Sequence, residues 1–167
     1  MTGNPTTPVR RLAIVGPSRA GKDTAANWFA AHTGLRYTGS CSSIIAPHAA
    51  ARLGIPEAEA FATRHACRDL WRAIGDELRR DDPAYLARKT LEHGDICVGI
   101  RSAAEMEAVM GEGLVDEVLW IDRPGLPVDP TLEFTMMPGM LGMIEMSGVL
   151  SEFKQGLHEV AVLWGMV

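Results

Sequence analysis

Cysteine is scarce in this chain. Only Cys41, Cys67 and Cys97 occur among 167 residues, odd in number and far apart, so neither a disulfide framework nor a zinc site is suggested, and a reducing, cytoplasmic setting is expected. Long apolar runs are lacking too. Nothing approaches the ~18 apolar residues of a membrane span, and Met1 to Pro8 is polar, contains proline and has no signal-like apolar core, so no membrane partner is expected. Positive charge is not in excess: 16 Lys and Arg face 21 Asp and Glu, a formal net charge of −5. That balance argues against broad affinity for nucleic acid, which depends on neutralising phosphates, though a local basic site remains compatible with it. The five histidines are scattered, without Ser-His-Asp or metal spacing, so hydrolase and zinc chemistry have no support. No internal repeat is present, and the stretch Met136 to Met146, rich in methionine and glycine, reads as an irregular surface loop entering a last strand.

What is present fits one compact domain. An apolar content of 47% with 22% charged residues gives a chain of this length enough core for a single unit. Residues 1–9 read as a flexible N-terminal segment, and 10–167 as the domain, with a largely helical region at about 44–93. Arg11 to Val15 is a short apolar run ended by Gly16, a buried strand by its length and composition. A helix is expected from about Lys22 to Ala31, with Gly34 as its stop. Leu35 to Thr38 reads as a brief second strand. Cys67, Leu70, Trp71, Ile74 and Leu78 make one apolar stripe, with Arg64, Arg68, Arg72 and Arg79 on another face of the same helix. Asp95 to Ile100, Val118 to Ile121 and Met143 to Met146 read as strands, and Ala103 to Met110 and Leu150 to Trp164 as helices. Strands alternating with helices imply a parallel sheet covered on both faces, with ligands at the carboxyl ends of its strands.

Gly16-Pro17-Ser18-Arg19-Ala20-Gly21-Lys22-Asp23-Thr24 lies between the first strand and the first helix, the context that a phosphate-binding loop requires. Gly16 and Gly21 let the backbone turn its N–H groups inward, the helix N-terminus adds partial positive charge, and Lys22 neutralises the β and γ phosphates of ATP. Asp23 stands where a Ser or Thr usually holds magnesium, and Thr24 follows it, so either is the metal ligand, directly or through water. The competing reading is a glycine-rich turn with an exposed lysine.

The ending Gly21-Lys22-Asp23-Thr24 resembles the variant loop of phage deoxynucleoside monophosphate kinases, a branch of the P-loop nucleotide kinases. Further blocks follow in the family's order: Ile74-Gly75-Asp76-Glu77-Leu78-Arg79 with Asp82-Pro83, Gly99-Ile100-Arg101 with Glu105, and Trp120-Ile121-Asp122-Arg123-Pro124. The resemblance spans about Arg11 to Leu157. It implies an α/β fold of the P-loop NTPase type, a three-layer sandwich with about five parallel strands and helices on both faces. It also implies dependence on ATP and Mg²⁺, and a monophosphate acceptor held beneath the loop by arginines. A phage origin would make the compartment the host cytoplasm. Two positions depart from the pattern. Gly99 stands where such kinases often have a strand-end Asp, and Met146 where an Asn would precede the last loop.

Phosphoryl transfer needs alignment and charge neutralisation more than covalent chemistry, so positive side chains are the residues to seek. Arg101, at the carboxyl end of a strand, is the first choice for gripping the acceptor phosphate, with a surface pair to Glu105 as the alternative. Arg68 is the best acceptor candidate of the arginine ladder, and Arg79 and Arg80 are placed to reach phosphates from the helix end; a solvated charged face is the alternative for all of them. Trp71 stacks on a base or belongs to the core. Ser40, Ser42 and Ser43 bond an acceptor phosphate or sugar, or form a serine-rich turn. Arg123, after its strand, flanks the adenine or lies in an ordinary turn. Asp129-Pro130-Thr131 is read as a turn or cap without chemistry. The leading function is transfer of the ATP γ-phosphate to a nucleoside or deoxynucleoside monophosphate. The alternatives are a kinase of another hydroxyl acceptor, such as a modified base in phage DNA, and a nucleotide-binding protein without catalysis.

Overall fold

The computed structural model describes residues 9–136, 140, 143–145 and 149–167. Packing begins at Val9, which is buried, one residue ahead of the expected boundary; the N–H groups of Arg10 and Arg11 both donate to Asp116 Oδ2 at 2.8 Å. Residues 1–8 of the expected flexible segment lie outside the described residues, as does Met146.

Leu12–Val15 forms β1, buried along its whole length, as an apolar run is when both faces of a parallel sheet are covered. Ile96–Val98 (β2), Glu117–Asp122 (β3) and Met143–Glu145 (β4) complete a parallel sheet of order β2-β1-β3-β4. Ile14 pairs with Val98 and Val15 with Trp120, so β1 and β2 end nearly level and β3 runs two residues further, to Asp122, with all three carboxyl ends on one edge. Among the described residues the sheet therefore has four strands rather than about five. The expected strand at Leu35 to Thr38 does not form. The Arg36 carbonyl accepts the N–H groups of Asp95 at 2.7 Å and Ile96 at 3.2 Å, and its guanidinium pairs with the Asp95 carboxylate. The segment is thus pinned against the start of β2, but the chain turns off at Gly39 into the next helix before a ladder can extend.

The helices are α1 (Lys22–Thr33), α2 (Cys41–Leu53), α3 (Glu57–Ala62), α4 (Arg68–Leu78), α5 (Tyr85–His93), α6 (Ala103–Gly111) and α7 (Leu150–Leu163). Helical structure begins at Cys41 rather than at residue 44, with Ser40 at the N-cap position. The arginine ladder is not carried by one helix. Arg64 sits in the turn between α3 and α4, donating to the Phe61 carbonyl at 2.9 Å with its guanidinium 4.2 Å from the centre of the Phe61 ring.

Alternation along β1 sorts two apolar layers. Leu12 and Ile14 pack with Phe29 of α1 and Phe153 and Leu157 of α7, whereas Ala13 and Val15 share a cluster with Trp71 and Ile74 of α4, Leu86 of α5 and Met106 of α6. Burying one such large side chain contributes about 1.5–3 kcal/mol, so the two layers hold the strand ends in fixed register beneath the loops that leave them. Among the described residues, no helix is long and apolar enough to cross a membrane.

Candidate functional site

The loop between β1 and α1 is built on close backbone approach. Gly16 has φ +136°, and a Cβ there would stand 2.1 Å from the Ile121 carbonyl oxygen of β3, so no other residue fits this crossing. Arg19 is held at φ +64°, a left-handed conformation uncommon for a residue other than glycine. Lys22 is 7% exposed and folds back, donating from Nζ to the Pro17 carbonyl at 2.5 Å. Burial first, then the charge of Arg101, lowers its pKa to about 8, while Asp23 and Asp129 pull in the opposite direction.

A cavity of about 380 Å³ opens at the carboxyl ends of β1 and β2, within the size range of small-molecule sites. The loop contributes Ser18, Arg19, Lys22 and Asp23; the start of α2 contributes Ser40, Cys41 and Ser42. Phe61, Arg64 and His65, with Arg68, Trp71 and Arg72 of α4 and Arg79 just after it, form the facing wall, and Gly99, Arg101, Thr131 and Glu133 close it. Seven cationic side chains thus meet three carboxylates, Asp23, Asp76 and Glu133. His65 registers the field: burial and then Arg64, Arg68, Arg19 and Arg101 hold its pKa below the ordinary value.

Of the phosphate-loop residues expected from the sequence, Ser18, Arg19, Lys22 and Asp23 line the cavity, whereas Ala20 is fully buried in the core and Thr24 is exposed outside the lining. Gly16 and Gly21 shape the backbone. Arg101 lines the cavity but does not pair with Glu105. Its Nη1 donates to Asp129 Oδ2 at 2.5 Å and to Thr131 Oγ1 at 3.2 Å. Glu105 is fully buried and instead meets Arg79 Nη1 at 3.3 Å; burial raises its pKa to about 7 against the opposing charge of Arg79. Arg79 also pairs with Asp76 at 2.8 Å, so it borders the cavity with its charge already shared between two carboxylates. Arg80 lies outside the lining.

Arg68 Nη2 lies 3.5 Å from Ser18 Oγ and so spans from α4 to the loop. Arg72 reaches Glu133 at 3.3 Å. Trp71 serves both readings: it is buried in the α4 stripe, meets Phe61 edge to face at 6.2 Å between ring centres, and borders the cavity. Ser40 lines the cavity, but Ser43 packs over Gly39, where a Cβ would stand 2.6 Å from its Oγ, and Ser42 takes its place in the lining. Arg123 lies outside the lining and donates to the Arg19 carbonyl at 3.4 Å. Gly99 has φ +102° with Cys41 Cβ against its missing side chain, so an Asp at this strand end would be strained.

Three residues at the site carried no signal in the sequence. Phe61 adds an aromatic face, Tyr37 donates to Asp23 Oδ1 at 2.6 Å, and Asp129 joins the loop to Arg101. An Asp-Pro-Thr turn distinguishes itself from any other turn only by what it meets in space. Magnesium binds through one or two carboxylates and fills its shell with water and substrate phosphates. Asp23, directly after Lys22 and held by Tyr37, fits that donor set. Among the described residues no three His, Cys, Asp or Glu side chains gather into a cage.

No protein-family model and no curated protein sequence matches the chain. Solved structures do. An unliganded sugar kinase from a Janibacter species superposes with a TM-score of 0.51 at 20% identity, covering 94% of each chain. Shikimate kinase from Bacteroides thetaiotaomicron superposes with a TM-score of 0.46 at 11% identity, over 94% of this chain and 99% of that one, too distant to add to the first. The fold is the α/β fold of P-loop kinases, a parallel sheet with helices on both faces and a glycine-bearing loop after its first strand.

Proposed function

We propose that the chain is an ATP-dependent phosphotransferase whose acceptor is itself a phosphate ester, a nucleoside or deoxynucleoside monophosphate. The observation that carries this reading is the wall opposite the loop. Lys22 and the loop N–H groups are enough to receive a triphosphate tail, yet Arg64, Arg68 and Arg72 face them across the cavity beside Phe61 and Trp71. A second anion with an attached planar group is what guanidinium and aromatic side chains together recognise. The Gly21-Lys22-Asp23-Thr24 loop supports the phage nucleotide kinase branch within this class.

In this mechanism Lys22 and the amides of Ser18 to Gly21 hold the donor phosphates, Arg68 and Arg72 hold the acceptor phosphate, and Arg101, between the two groups, stabilises charge on the transferring phosphoryl group. Magnesium, when bound, neutralises the donor phosphates, and Asp23, oriented by Tyr37, is the side chain that would hold it. No covalent intermediate is required. A second reading, a hydroxyl acceptor without phosphate, is favoured by the carboxylates Asp76 and Glu133 at the same cavity, which can orient hydroxyl groups.

Incubation with ATP, Mg²⁺ and each common nucleoside and deoxynucleoside monophosphate, following ADP release, tests the proposal. Turnover with at least one monophosphate is expected, and Lys22→Ala should lower it by roughly 10²-fold or more while the thermal melt is kept. ADP release with neutral nucleosides or sugars alone would favour the second reading. ATP binding with no acceptor turned over would favour a nucleotide-binding protein without catalysis.

A further inference from the structure

The connection between β3 and β4 brings a buried carboxylate, which the mechanism above does not use, behind the cavity-lining residues Ser18, Arg101 and Thr131. The Asp129 side chain is 4% exposed, and its two oxygens have different partners. Oδ1 accepts the Thr131 N–H at 3.0 Å and the Thr131 hydroxyl at 2.6 Å, closing a turn within its own segment. Oδ2 accepts the Ser18 N–H of the phosphate loop at 2.7 Å and Nη1 of Arg101 at 2.5 Å. One oxygen therefore takes a donor from each of two walls, 111 positions away in one case and 28 in the other. A loop amide and a guanidinium converging on one anionic oxygen is the arrangement that a phosphoryl oxygen makes.

We propose that Asp129 Oδ2 holds the place of a phosphoryl oxygen between the Ser18 N–H and Arg101, and that a phosphate-bearing substrate takes those two donors by exchange with it. The inference rests on the reading of this loop as a phosphate cradle. Asp129 is a persistent anion: burial pushes its pKa up, but the Thr131 hydrogen bonds and the Arg101 charge outweigh burial and hold it well below the usual carboxylate range. A second anion entering the same two donors would face that charge at contact distance. Because Oδ1 is tied to Thr131, the carboxylate leaves with its turn rather than by a rotamer flip alone. Substrate affinity is then what remains after the internal contact is broken, and the empty site keeps Arg101 and the loop neutralised until a competing phosphate arrives.

A purely structural role for Asp129, holding Arg101 in place, predicts the opposite sign, and this separates the two. Calorimetric titration of the full chain with inorganic pyrophosphate and with ATP is compared for wild type, Asp129→Asn and Thr131→Ala. The Asn keeps one acceptor oxygen for Thr131 and removes the charge. Both probes are expected to bind Asp129→Asn roughly tenfold more tightly, on the scale of one charged hydrogen bond, and Thr131→Ala more tightly by a smaller factor. Equal or weaker binding by Asp129→Asn, with wild-type binding intact, overturns the exchange and leaves the cradle standing. Absence of binding in every form overturns the cradle and the exchange with it. If Asp129→Asn does not fold, Thr131→Ala decides, and no gain in affinity there overturns the exchange.

Discussion

Lys22 is where burial and charge oppose each other most directly. Its pKa of about 8 lies below the ordinary lysine value of 10.5, so between those values the unfolded chain holds a proton that the folded chain has released. Stability should therefore rise with pH across that window, fully gained only above the unfolded value, and Lys22→Met should flatten the slope in urea titrations. Substrate binding has its own sign. A polyanion favours charged Lys22, so above about pH 8 ATP binding should draw in a proton, seen as a dependence of the calorimetric enthalpy on the buffer's ionisation heat; release of a proton would contradict the placement of Lys22 at the phosphates. The loop was legible because its residues are contiguous and flanked by a strand and a helix. Asp129 was not, because nothing in Asp-Pro-Thr says that Ser18, 111 positions earlier, lies within hydrogen-bonding distance.

On α4 two functions occupy two faces of eleven residues. The buried face, Trp71 and Ile74, fixes the helix against α2 and α5, and the other face presents Arg68 and Arg72 to the cavity. Truncating each face should separate them. Ile74→Ala should cost about 2–5 kcal/mol of stability in denaturant titrations, the range for a buried large-to-small change. Arg68→Ala with Arg72→Ala should raise the acceptor KM by roughly tenfold or more with a much smaller change in ATP affinity; equal loss of both would place these arginines on the donor side. The stripe itself was readable from its spacing, which is local. The break before it was not: Arg64 fits the same periodicity, and only the Thr63–Cys67 turn, stabilised by contacts such as Arg64 on Phe61, takes it off the helix. The missing edge strand has a similar origin, since strand-like residues at 35–38 find a partner at Asp95 but leave the sheet at Gly39.

The whole molecule carries a net charge of −5, yet the cavity at the strand ends gathers seven cations. Those two facts act on ligands of different size. A compact anion entering the cleft meets the focused positive field, whereas a polymer crossing the outer surface meets acidic side chains over most of its length. Mononucleotides should therefore bind saturably, and single-stranded DNA of about twenty nucleotides, a length chosen to outrun the ~4–16-nucleotide footprint of dedicated single-strand binders, should not be retained at about 0.15 M salt. Raising salt from about 0.1 M to about 1 M shortens the screening length from ~10 Å to ~3 Å and should slow nucleotide association more than dissociation, because the field acts chiefly on encounter. Stopped-flow fluorescence with an analogue of ATP measures both rates. An association rate indifferent to salt, or saturable DNA binding that mononucleotides fail to displace, would mean that the arginines serve a surface partner rather than the cavity, and the sign of the whole-molecule charge would then have been the poorer guide.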